Sequence, residues 1–238
     1  MNTLGFDLET TGTDTLSDRP VQVAMLFRSG GTTRVIANEL VNPGMPISPG
    51  AAAVHGISDQ MVVNAPDVSI AAWRMHLIAE QLKDGTVLVT FNGRAFDVPM
   101  IDRCFGQPVF DMPHVDVLQF ARRFFPTFKG SVSQGGKTLG ELYAHFLNKP
   151  LENAHDAAAD VTATLDLLDA MRVKAGITLE DLVEDQRVFR PYAIMPLGKY
   201  MGRPIDEIPV SWARFMDDKE LDGDLRATVD YVLGRTPS

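Results

Sequence analysis

Only one cysteine, Cys104, occurs among the 238 residues. An intramolecular disulfide is therefore excluded, and a reducing, cytoplasmic setting is the expectation. No apolar stretch approaches the ~20 residues needed to cross a bilayer, so no membrane partner is expected. The opening MNTLGFDLET has neither a basic start nor an apolar run and does not read as a signal peptide. Positive charge is scarce as well: 22 Lys and Arg face 31 Asp and Glu, a formal net charge of −9. That balance argues against broad coating of nucleic acid, which takes many phosphate contacts. It leaves room for a narrow nucleic-acid site whose carboxylates are neutralised by metal ions. Internal repeats and low-complexity segments are absent too. What is present, 45% hydrophobic and 22% charged residues, suffices for a sizeable core without covalent staples.

The hydrophobic pattern predicts a strand over 3–8, closed by Thr10, Thr11 and Gly12. Two β-rich runs, 21–31 and 32–43, meet at Gly30-Gly31 as a hairpin. The Pro- and Gly-rich stretch 43–58 reads as loop. A helix is expected over 67–83 through Ile70, Trp73, Leu77, Ile78 and Leu82. TVLVTFN (86–92) reads as a strand buried on both faces. A helix from about Ala95, a short strand near Val109–Phe110 and a helix through Val115–Phe124 follow. Further on come a loop (129–138), a helix (139–147) and an Ala-rich helix from about Asn153 that stops at Gly176. This order predicts an α/β fold: a mixed five-stranded sheet, antiparallel at first and parallel later, flanked by helices. The character changes after Gly176. Residues 1–176 are expected to form one domain, and 177–238 a small α+β module packed against it.

Asp7 and Glu9, in GFDLETTG, lie two apart on the first strand and so point to the same face. Two like charges side by side repel unless a cation lies between them, and hard oxygen donors suit magnesium or manganese. Taken alone, the pair reads equally as two surface carboxylates on an edge strand. Asp97, in VTFNGRAFDVPMI, sits in an otherwise apolar stretch, where a first-turn helix carboxylate is the simpler explanation. His155 and Asp160, in NAHDAAADVTATL, are five apart. On an ideal helix such residues diverge by about 140°, which places the histidine at the helix entry and the aspartate inside it.

Together these segments resemble the DnaQ-like (DEDDh) 3′–5′ exonucleases, whose fold is ribonuclease H-like. Asp7, Glu9, Asp97 and Asp160 match the four acidic positions, and His155 stands five before the last, as in the histidine subgroup. The tyrosine subgroup would have Tyr at 156, where this chain has Asp156. The resemblance covers about residues 1–172. It implies two divalent ions, Mg²⁺ with Mn²⁺ as substitute, held by Asp7, Glu9 and Asp160, with Asp97 bound directly or through water. It implies His155 as general base. It also implies contacts to the terminal nucleotide from Thr10, Thr11, Gly12, Val54 and His55, with Phe96 wedged between the last two bases. The expected partner is a single-stranded 3′ end, DNA rather than RNA, with replication or repair proteins as further partners. The rival expectation is a non-catalytic nucleic-acid- or polymerase-binding subunit on the same fold. The tail resembles an uncharacterised bacterial and phage domain, in which Lys199, Arg203, Trp212 and Phe215 could grip a strand or merely form and decorate a small core. SVSQGGKT (131–138) echoes a phosphate-binding loop but lacks its first glycine and a strand leading into it.

Overall fold

The sheet is organised around β1 (Asn2–Thr10), which pairs antiparallel with β2 (Pro20–Ser29) and parallel with β4 (Thr86–Thr90). β3 (Thr32–Leu40) extends the hairpin at one edge and β5 (His114–Asp116) the parallel side at the other, in the order β3-β2-β1-β4-β5. The chain is described from a computed structural model covering residues 1–128, 137–219, 221 and 223–235. The hairpin turns where expected: Gly30 and Gly31 take φ of 56° and 79°, which a two-residue primed turn requires. All but the last two residues of the expected 129–138 loop, and most of the phosphate-loop echo, lie outside the described residues.

Alternation along β1 sends Leu4, Phe6 and Leu8 to one face, against α3 (Val68–Leu82) and α4 (Asp97–Phe105). Gly5 faces α7 (Ala157–Ala175) on the other side. There α7 packs with α5 (Val117–Phe124) and α6 (Leu139–Leu147) into the larger core cluster. α6 begins with a capping box between Thr138 and Glu141, and α7 ends at Gly176 in the left-handed conformation.

Three expectations need correction. The 43–58 stretch contains α1 (Pro49–His55), capped by Ser48, started by a proline and stopped by left-handed Gly56; α2 (Asp59–Val62) follows. The second concerns α3, which seats Val68, Ala71, Ala72, Met75 and Ala79, while Ile70, Trp73 and Leu77 stay exposed at 48, 55 and 40%. Small side chains let the helix lie close to the sheet, yet they weigh little in a hydrophobicity pattern. The third is the last strand, which is His114–Asp116, not Val109–Phe110. Val109 is buried through side-chain partners instead: its N–H donates to Asp102 and its carbonyl meets the His76 ring.

The larger core runs past Gly176. α8 (Leu179–Asp185) adds Leu179, Leu182 and Val183 to it, and Gln186 exchanges two hydrogen bonds with the Asp116 backbone, at 2.8 and 2.9 Å. A second, small core then forms from Tyr192, Met195, Ile208 and Leu225, with α9 (Val210–Met216) and α10 (Gly223–Val232) around it. Trp212 belongs to this core, whereas Phe215 is exposed. Arg123 of α5 ties the parts together, reaching Asp185 at 2.6 Å and fully buried Asp224 through its Nε at 2.6 Å. Among the described residues no helix is long and apolar enough to cross a membrane.

Candidate active site

The acidic residues meet because α7 lies unusually close to β1. A Cβ on Gly5 would stand 2.4 Å from Val161 Cγ1, a distance only glycine avoids. That approach carries Asp160, one residue before Val161, over the face where Asp7 and Glu9 emerge. On the other side β1 outruns β4, whose last pairing is Gly5 with Val89. The N–H of Leu8 thus lacks a strand partner, and Asp97 Oδ1 accepts it at 3.2 Å. Asp97 is aimed there by the turn after β4. Asn92 takes φ of 65°, and the buried Asp116 carboxylate accepts the N–H groups of Asn92 and Arg94 at 3.1 Å each.

Burial and crowding hold these carboxyls well away from ordinary carboxylate behaviour. Asp7 is pushed far up by burial, then by the charges of Asp97, Asp160, Glu9 and Asp156. Glu9 rises to about 7 through burial, Asp160 and Asp156. Asp97 also rises to about 7, chiefly by burial, although the Leu8 N–H opposes the shift. Asp160 is raised by burial, partly offset by the N–H of His155, which it accepts at 3.2 Å. Its other oxygen, Oδ1, is buried with no hydrogen-bond partner. Ligand atoms of Glu9, His155 and Asp160 all lie within 4.8 Å of one another. An orphaned carboxylate oxygen among mutually repelling hard donors fits a divalent cation, whose charge would reverse each of these shifts.

His155 stands outside α7, as its spacing implied. It adopts φ of 69°, and Asp156 after it is the N-cap, accepting Ala159 N–H at 3.0 Å. The Thr10–Gly12 corner is rigid. The Thr11 hydroxyl donates to Asp18 at 2.7 Å, and the same carboxylate packs so tightly on Gly12 that a Cβ there would lie 2.4 Å from Oδ2. His55 reaches this corner from α1. Its Nδ1 accepts Ile57 N–H at 3.0 Å, so the proton is on Nε2, which donates to Thr10 O at 3.1 Å. Burial lowers the pKa of His55 and favours that neutral form; the hydrogen bond to Thr10 opposes the shift and the neighbouring His155 adds to it. Val54 is exposed beside it, and Phe96 caps α4 next to Asp97. The supporting roles of Gly5, Asp18 and Asp116 were not anticipated. For Asp116 the signal was present, a carboxylate inside the apolar run HVDVLQF.

A family model described as Exonuclease (RNase_T) matches residues 4–168. The chain belongs to this exonuclease family. It is 34% identical over 195 residues to a DNA polymerase III subunit epsilon-like protein of Rhodobacter capsulatus, covering 76% of this chain and 26% of that protein. With the DNA polymerase III PolC-type of Lactococcus lactis it shares 32% identity over 166 residues, 68% of this chain and 9% of the relative. Escherichia coli exonuclease I, solved with a dA16 oligonucleotide, superposes with a TM-score of 0.62 at 22% identity, covering 77% of this chain and 42% of that one. The exonuclease-family chain therefore shares the ribonuclease H-like fold, and it spans about a quarter or less of the length of these polymerase relatives.

Proposed function

We propose that this exonuclease-family chain is a metal-dependent 3′–5′ exonuclease that releases nucleoside 5′-monophosphates from single-stranded 3′ ends, DNA in preference to RNA. One observation carries the reading: four carboxylates raised by burial and mutual repulsion, one with an orphaned buried oxygen, beside a histidine. Asp7, Glu9, Asp97 and Asp160 would hold two divalent ions, Mg²⁺ by preference with Mn²⁺ able to replace it. When bound, such ions supply Lewis acidity to the phosphate and make water acidic enough to attack at neutral pH. His155 takes the proton from the attacking water, from a position at the mouth of the acidic cluster. Thr10, Thr11 and Gly12, held rigid by Asp18, border the terminal nucleotide; Val54 and His55 pack beside it, and Phe96 separates it from the next base.

The names of the relatives support a setting in DNA synthesis or repair, with proteins of that machinery as partners. The division of labour we propose is a nuclease domain, 1–176, followed by a substrate-engaging module, 177–238, whose first helix is built into the nuclease core. The test is a single-stranded oligonucleotide labelled at its 5′ end, incubated with Mg²⁺ or EDTA. A ladder shortening from the 3′ end with Mg²⁺ alone is expected. Cutting of a circular single strand would show an endonuclease, and binding without any cutting would favour the non-catalytic subunit.

A further inference from the structure

The support beneath Asp97 leads out of the matched exonuclease segment. That segment ends at residue 168, yet Gln186, at the C-terminal end of α8, is fully buried against β5. β5 is an edge strand whose only strand neighbour is β4. At Asp116 its outer side is closed by a side chain instead. Gln186 Oε1 accepts the Asp116 N–H at 2.8 Å, and Gln186 Nε2 donates to the Asp116 carbonyl at 2.9 Å. A primary amide offers a donor and an acceptor side by side, as a peptide group does, so Gln186 stands in for one residue of a further strand. Asp116 passes this constraint to the turn after β4, because its carboxylate accepts the N–H groups of Asn92 and Arg94. Arg94 closes the ring: its guanidinium donates to Gln186 O at 3.0 Å and to His114 O.

The turn itself has little room to relax. A Cβ on Gly93 would lie 2.5 Å from Thr90, and Gly93 O accepts the Val98 N–H at 2.9 Å. Asp97, next to Val98, therefore moves with the turn, and its carboxylate meets β1 through the single Leu8 N–H. Leu179, Leu182 and Val183 already seat α8 in the larger core, so packing of that helix does not call for an amide at 186. An apolar side chain there would fill the space but strand the Asp116 N–H and carbonyl. Buried backbone groups are rarely left unpaired, so β5 and the turn would shift to find partners. We propose that Gln186 is a positioning residue for the acidic cluster, holding Asp97 in place through Asp116 and the 92–96 turn. The proposal deepens the exonuclease reading and rests on it for the role of Asp97. It gives the tail a part in the chemistry that bypasses the residues its sequence offered for gripping a strand. Of those, Trp212 is core, the Lys199 ammonium lies over Tyr200, and Arg203 faces Glu207 at 3.9 Å.

The test compares wild type, Gln186→Leu and Leu182→Ala in the full chain, each well below its Tm. Leu182→Ala is the control, since it removes packing from the same helix and neither amide hydrogen bond. Calorimetric titration of Mn²⁺ and cleavage of a short single-stranded oligothymidylate are the two readouts. Gln186→Leu should weaken Mn²⁺ affinity and lower kcat by about 10–100-fold, the scale for partners that orient metal ligands, with KM little changed. Leu182→Ala should lower Tm at least as much, yet keep Mn²⁺ affinity and kcat near wild type. A merely structural glutamine would not separate the two variants in this way. If wild type takes up Mn²⁺ about tenfold or more tighter than Gln186→Leu but cleaves nothing, the exonuclease reading fails and the positioning role stands. Equal Mn²⁺ affinity and kcat in wild type and Gln186→Leu would overturn the proposal, and so would an equal loss in Leu182→Ala. Should Gln186→Leu fail to fold, Mn²⁺ uptake by Arg94→Met, which frees the same turn from the Gln186 and His114 carbonyls, carries the comparison.

Discussion

His155 is the residue on which chemistry and geometry can be separated most cleanly. Its ligand atom lies within 4.8 Å of those of Glu9 and Asp160, so position alone suits either a base or a metal ligand. Its φ of 69° also places a non-glycine residue in a region that costs roughly 1–2 kcal/mol. His155→Gly relieves that strain while removing the ring. The expected outcome is a Tm at or near wild type, undiminished Mn²⁺ uptake by calorimetry, and turnover lowered ~10²–10⁴-fold, the scale of general-base loss. Weakened Mn²⁺ uptake would instead make the histidine a ligand. These acidic and histidine positions were legible in the sequence because carboxylates inside apolar strands and helix starts are conspicuous. Gly5 was not, since nothing about a glycine in a strand announces which helix will lie on it. Asp116 was overlooked because it supports Asp97 through backbone donors rather than joining the cluster.

At the scale of elements, the contact between β1 and α7 sets the site. Gly5→Ala would force the 2.4 Å approach to Val161 to open. Overpacking of this kind costs ~1–3 kcal/mol, and the displaced Asp160 should reduce cleavage far more than the modest fall in Tm alone explains; equal losses would show that helix position does not matter to the chemistry. Arg123→Ala leaves Asp224 and Asp185 without their buried partner, and a loss of ~3–5 kcal/mol is expected in denaturant unfolding. Elements were readable in the sequence where one pattern dominated. The Gly-Gly hairpin and α6 fell where expected, and so did the stop at Gly176. α3 was recognised as a helix, and Ile78 and Leu82 pack on the core, but Ile70, Trp73 and Leu77 face outward while alanines, which contribute proximity rather than hydrophobicity, face in. α1 was hidden by its flanking prolines and glycines, two of which, Pro49 and Gly56, are its own start and stop signals. β5 was displaced because Val109 is buried, and Phe110 partly buried, without joining the ladder.

For the whole molecule, the site sets a stability that depends on pH and on metal together. Asp7, Glu9 and Asp97 have folded-state pKa values raised above their unfolded values. Their contribution to stability is thus present below about pH 4 and lost as pH rises through about 7, where Glu9 and Asp97 ionise. Buried His114, lowered to about 3, acts in the opposite sense, losing stability as pH falls below the ordinary histidine range. The increment in Tm produced by Mg²⁺ isolates the carboxylates from that background. It should grow steadily from pH 6 to pH 8 in differential scanning fluorimetry; an increment that stays flat would mean the cluster does not take up the cation as it ionises. The tail is joined to the nuclease core by packing and by charge, because α8 completes the larger core and Arg123 ties α5 to Asp224. The account turns on the acidic cluster being a metal site, and calorimetric titration of Mn²⁺ into wild type and Asp7→Asn tests that most directly. Saturable uptake by wild type, greatly weakened in Asp7→Asn, is the expected result; equal uptake by both, or none by wild type, would contradict it.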